Sequence, residues 1–255
     1  MKGIFKYVLM DLVRSRVMFV YTLLLAVLSV SLLSLDNNQS KGILGLLNVS
    51  LLFVPLVSIL FSTIYFFNSI EFTELLLAHP IKRKTLLLAE YSGVSFALGM
   101  AFTLGVGIPL FIFSPTLSAF ILWLSGLLLT LVFSSFALFI FVFFKDKTKG
   151  IGAALILALF FTLLFDGLLL GLIYSFSDYP IDKPVLAFIS FNPVDLARIL
   201  VLLKLDVAVM MGYSGALFKK FLGSDTGTIY SIICMVFWIV GPLLLAVKGF
   251  KRKDL

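Results

Sequence analysis

Cysteine and histidine are almost missing from this sequence. Its one cysteine, Cys234, excludes an internal disulfide and any metal cluster built on thiolates. Its one histidine, His79, excludes a multi-histidine zinc or haem site made by this chain alone. Charge is scarce as well: Asp, Glu, Lys and Arg make up 13% of the 255 residues, about half the share of a soluble domain. There is no H-E-x-x-H, no G-x-S-x-G and no G-x-x-x-x-G-K-[ST]. The chain therefore reads as one without a catalytic, metal or cofactor site of its own. If ATP drives it, another chain binds the nucleotide.

What fills the sequence instead is apolar. Hydrophobic residues make up 61%, phenylalanine occurs 28 times, and the mean hydropathy is +1.16. The pattern predicts an all-α integral membrane protein, a single transmembrane domain over residues 1–255. Six spans are expected near 17–35, 43–68, 85–113, 117–144, 150–176 and 229–247, each sized for ~30 Å of hydrocarbon. Ahead of them, Ile4, Phe5, Val8, Leu9 and Leu12 share one helical face and Lys2 and Lys6 lie opposite, the pattern of an interfacial helix. A signal peptide also fits the basic start. The run from 17 to 35 is long for one and no A-x-A site follows it, which favours an uncleaved span.

The net charge of +7 follows from the loops. With the N-terminus inside, the Lys and Arg residues of segments 2–16, 82–84, 145–149 and 248–253 are all cytosolic, as the positive-inside rule requires. Beyond Lys41, the others (Lys183, Arg198, Lys204, Lys219, Lys220) fall in one long outer segment. Both termini are expected in the cytosol. The basic balance reflects these loops and membrane lipids, not nucleic acid.

The outer segment, 184–222, is expected to form amphipathic helices before the last span. Asn192 suits an N-cap and Pro193 a first helical residue. Asp195 falls in the positive first turn, with Arg198 three residues on to pair with it. Val207 to Leu217 is too short to cross and reads as a helix on the outer leaflet, with Ser224 and Asp225 capping the entry to the last span. Asp166 is read as the one acid well inside a span. It lies roughly 25 Å from Lys149 at about 1.5 Å per residue, either hydrated near the outer boundary or serving a proton or cation path. Small residues recur every four positions at Ala97, Ala101 and Gly105, and again at Gly150, Ala154, Ala158 and Thr162. Such stripes serve ordinary packing or a movable seam between helices or subunits. Met210 and Met211 point about 100° apart on a helix, which favours packing over copper ligation.

The longest break in the apolar pattern of the first half runs from Glu71 to Tyr91. Glu71 and Glu74 open a short helix, Leu75, Leu76 and Leu77 give it an apolar ridge, Pro80 stops it, and Lys82, Arg83 and Lys84 follow. A solvated loop accounts for the cations. Three leucines at a cytosolic surface instead mark a docking face for a soluble partner. This arrangement resembles the permeases of type-2 ABC exporters, in which the segment is a coupling helix seated in a cleft of the ATPase subunit. The match rests on Glu71, Glu74, Leu75, Leu76, Leu77, Pro80, Arg83 and Leu87. Where the family often has Gly-Thr before the second acid, Phe72-Thr73 stands here. The resemblance implies a docking role for residues 71–77, together with His79, Pro80 and Arg83, and an elbow-helix role for residues 1–16.

A narrower resemblance rests on Phe191-Asn-Pro-Val-Asp-Leu-Ala-Arg and Tyr213-Ser-Gly-Ala. It is to the permeases of complexes that mature the copper sites of nitrous oxide reductase. It implies a bacterial inner-membrane location and three partners: a cytosolic ABC ATPase carrying ATP and magnesium, a second copy of this chain, and a periplasmic β-helical protein. Asn192, Pro193, Asp195 and Arg198 are expected at the surface facing that last partner. An ABC exporter of a lipid, drug or peptide is the alternative, and a stand-alone secondary transporter using Asp166 a further one.

Overall fold

The computed structural model describes residues 2–34, 39–78, 81–176, 182–205 and 212–251, and all regular structure among them is helical. In chain order the helices are α1 (Lys2–Val13), α2 (Arg16–Ser34), α3 (Gln39–Asn68) and α4 (Ile70–Leu77). Next come α5 (Arg83–Phe113), α6 (Leu117–Phe143) and α7 (Lys147–Ser175). The last are α8 (Asp182–Ser190), α9 (Pro193–Leu202) and α10 (Gly212–Phe250). Six are long and apolar enough to cross a membrane: α2, α3, α5, α6, α7 and the Asp225–Phe250 part of α10. The expectation of an all-α, six-span membrane protein holds.

Local chemistry sets the breaks between helices. Thr116 caps α6 by accepting from the Ala119 amide at 3.2 Å, and Asp146 caps α7 by accepting from the Thr148 amide at 2.8 Å. Inside α5 the hydrogen bonding widens to an i→i+5 pattern over Thr103–Gly107. Pro109 explains that turn, because it has no N–H and its ring crowds the carbonyl four residues back, at Gly105. A second wide turn, Phe160–Leu164, interrupts α7.

The bundle forms around α6, which packs on α3, α5, α9 and α10. Close approach is built from small residues. A Cβ on Gly126 of α6 would overlap the Phe102 ring, and one on Gly150 of α7 would overlap the Phe67 ring. Gly105 sits against α2, where a Cβ would lie 2.8 Å from Leu25 Cβ and 2.9 Å from the Thr22 carbonyl oxygen. Ala97 and Ala101 are buried beside it. The Ala97–Ala101–Gly105 stripe is thus taken up inside one chain and is not a free seam for another subunit.

Two further expectations are corrected. The face of α1 expected in the lipid headgroups packs on protein: Val8 and Leu12 are buried, Val8 presses on Gly93 of α5, and Phe5 meets Phe96 edge-on. The separate outer helix expected before the last span does not exist within 212–250, because α10 continues without a break past Ser224 and Asp225. Asp225 instead reaches across to Lys204 at 2.5 Å.

Candidate functional site

Two polar constellations interrupt the apolar bundle, one at the end where α4 lies and one reaching inward from the opposite side. The first surrounds α4, which follows α3 with only Ser69 between them. Glu71, Glu74, Leu75 and Ala78 point outward, and Leu75 is 68% exposed. At about 100° per residue these positions share one face. The expected ridge of three leucines is therefore split: Leu76 and Leu77 are half-buried, and Leu77 packs against the core. Phe72 stacks on Tyr7 of α1 with ring centroids 4.8 Å apart. Thr73 is fully buried, its hydroxyl 2.9 Å from the Ser69 carbonyl oxygen and 2.7 Å from Glu90 Oε1 of α5. Arg83 and Lys84 are exposed at the start of α5, and Arg83 donates to the Phe250 carbonyl at the end of α10, at 3.4 Å. Lys147 donates to Asn68 Oδ1 at 2.6 Å. The elements at this end of the bundle are thereby tied around α4. His79 and Pro80 lie outside the described residues, as do Met210 and Met211.

The second constellation joins α7 to the α8–α9 turn, where the chain bends by 106°. Asn192 accepts from the Val194 amide at 2.9 Å, capping α9. Its amide nitrogen donates both to Asp195 Oδ2 at 2.9 Å and to the Phe161 carbonyl at 3.1 Å, inside the wide turn of α7. Arg198 bonds Asp195 at 3.0 Å and Asp166 at 3.1 Å, one nitrogen to each. Two carboxylates thus share one guanidinium.

The depth of this cluster follows from counting residues. Phe161 lies twelve residues beyond Lys149, about 18 Å along α7. From the other side, the Trp238 indole donates to the Ser190 carbonyl at 3.2 Å, and Trp238 lies ten residues before Lys248, about 15 Å. The α8–α9 turn therefore enters the bundle to about half the thickness of a hydrocarbon core. Phe188 stacks on Phe165 at 4.7 Å, and Ser190 Oγ lies 3.0 Å from the Tyr230 hydroxyl, which hold it there.

This placement revises the role of the outer residues. Asn192, Pro193 and Asp195 are buried, and only Arg198 is partly exposed. They shape the interior of the turn and do not themselves form a surface that a partner could touch. Asp166 is half-exposed and held by Arg198.

A further acid lies inside the bundle. Glu90, in the third span, is fully buried, so Asp166 is not the one acid well inside a span. Its position seven residues past Arg83 is the signal for it in the sequence.

Comparison with known proteins gives this geometry a family. Residues 4–255 match the ABC-2 family transporter protein profile. The chain is 28% identical over 270 aligned residues to a protein of Stutzerimonas stutzeri named "Probable ABC transporter permease protein NosY", covering 96% of this chain and 95% of that relative. A protein of the same name from Pseudomonas aeruginosa is 29% identical over 193 residues, covering 71% of this chain and 68% of the relative. A six-span helical bundle matched over nearly its whole length is thus a member of the ABC-2 family, a membrane permease subunit of an ABC transporter.

Proposed function

We propose that two copies of this chain form the membrane unit of an ABC complex, each docked through α4 onto a cytosolic ATPase subunit that carries ATP and magnesium. The observation that carries this reading is the two-sided build of α4. Its inner face is anchored to α1 and α5 through Phe72 and Thr73, while Glu71, Glu74, Leu75 and Ala78 project from the end of the bundle. An exposed leucine beside two carboxylates on one face of an anchored helix suits a groove with a basic rim. Movement of the ATPase would pass through α4 into α3 and α5, the helices that flank it.

The finer reading places the complex in a bacterial inner membrane, both termini cytosolic, in the maturation of the copper sites of nitrous oxide reductase. The similarity to the NosY-named proteins and the Asn192–Arg198 stretch support it. In this reading a periplasmic β-helical protein receives the movement at the far end. The α8–α9 turn is the route, because it is bonded to both α7 and α10. Asp166 then serves as a strut to Arg198 and not as an ion carrier.

The test is a double substitution on the outward face, Glu74→Lys with Leu75→Asp. Membrane insertion and the yield of folded chain should be unchanged, and co-purification of the ATPase subunit should be lost. Retention of the ATPase by this variant would remove the docking claim.

A further inference from the structure

Glu90 has a bonding pattern that an ionised carboxylate does not complete. Its side chain is fully buried, and Oε2 has no hydrogen-bond partner among the described residues. Glu90 forms no ion pair there either. Its hydrogen-bond partner is Thr73 from α4, and Tyr65 from α3 lies within electrostatic reach, the Tyr65 hydroxyl itself engaged by Asp11 of α1 with Tyr7 also acting on it. None of these is a cation. A buried carboxylate without a cation or a full set of donors is strongly disfavoured.

The Thr73 hydroxyl makes the point sharper. It has one proton, yet two acceptor atoms stand at bonding distance, the Ser69 carbonyl at 2.9 Å and Glu90 Oε1 at 2.7 Å. The carbonyl can only accept. Both contacts are satisfied together when Thr73 donates to Ser69 and the second proton comes from Glu90.

We propose that Glu90 is a proton-carrying latch, a neutral carboxylic acid that donates to Thr73 and fixes α4 to α5. Thr73 then completes a chain of bonds from Glu90 on α5, through the inner face of α4, to the Ser69 carbonyl where α4 leaves α3. The short helix is held at one point to both of the spans it joins. Glu90 and Thr73 are positioning residues: neither reaches the outward face, and they set how rigidly that face is tied to the spans. The role in transmission rests on the reading of α4 as the ATPase-docking helix; the protonation does not.

The two parts are tested separately. The full-length chain in lipid nanodiscs at neutral pH should show a protonated-carboxyl C=O band in its infrared spectrum. Glu90→Gln should delete that band, and Thr73→Val should shift it by removing the acceptor. A Gln variant whose spectrum superimposes on the wild type in this region, or a band unmoved in Thr73→Val, overturns the latch whatever the ATPase does.

In the complex, Thr73→Val should still capture the ATPase subunit, since the outward face of α4 is untouched. It should lose the difference in ATP turnover between the free ATPase and the assembled complex, whereas Glu90→Gln, whose amide can donate in place of the acid, should keep it. Unchanged turnover in Thr73→Val overturns the role in transmission. Failure of the wild-type chain to capture an ATPase overturns the docking reading and leaves the infrared result to stand by itself.

Discussion

At the scale of single residues, Arg198 decides the state of the cluster at the far end. It is the one cation within ion-pair distance of Asp166 and Asp195 among the described residues, and Asp195 is the more deeply buried of the two. Removing the guanidinium leaves a buried carboxylate with only the Asn192 amide for support. Arg198→Leu is therefore expected to destabilise the chain by about 1–3 kcal/mol, less than a fully buried pair because the arginine is part-exposed. Asp166→Asn keeps an acceptor for Arg198 at the more exposed position and should cost under about 1 kcal/mol. Thermal unfolding of the two variants in detergent checks the order. A larger loss from Asp166→Asn would mean that Asp166 does more than hold Arg198. Part of this cluster is legible in the sequence, because Asn192, Asp195 and Arg198 follow local capping and i,i+3 rules. Asp166 lies 32 residues from Arg198, and no local rule reports a pairing across that distance.

At the scale of elements, the contacts that set spacing are those where a side chain has no room. Gly105 faces the backbone of α2, and a backbone atom cannot swing aside as a flexible side chain can. Gly105→Leu should force α5 and α2 apart at a cost of about 1–3 kcal/mol, read as a lower unfolding temperature. A Cβ on Gly152 of α7 would meet nothing within 4 Å, so Gly152→Leu should leave the unfolding temperature of the monomer unchanged. Equal losses from both would show that Gly105 does not set the spacing. Element lengths follow from apolar run length, and that is why the six long helices are legible in the sequence. The course of α8 and α9 is not. An amphipathic segment with capping signals fits a helix lying on a membrane as well as one folded inward. What turns it inward is long-range: the Phe161 carbonyl in the wide turn of α7, the Trp238 indole on α10 and the Phe165 ring. The leucines of α4 depart from expectation for a simpler reason. Consecutive residues on a helix are about 100° apart, so Leu75, Leu76 and Leu77 cannot share a face.

At the scale of the whole molecule, the basic segments gather at one end. Arg83 reaches the carbonyl at the end of α10, Lys147 reaches Asn68 at the end of α3, and Tyr7 of α1 stacks on Phe72 of α4. α1, α4, the α6–α7 loop and the end of α10 therefore belong to one side, and the proposal that this side is cytosolic rests on the positive-inside rule. α5 supplies a direct test, since one helix of 31 residues, about 46 Å long, separates Lys84 from Pro115 just beyond its far end. A helix of that length that crosses a ~30 Å core must leave its two ends in different compartments. With Cys234→Ser removing the native thiol, Lys84→Cys and Pro115→Cys each place a single exposed cysteine at one of those ends. A membrane-impermeant maleimide applied to intact cells should label Pro115→Cys, and should label Lys84→Cys only after lysis. The reverse pattern would put α4 outside the cell, where no ATPase could reach it. Labelling of both cysteines in intact cells would show that α5 does not cross at all.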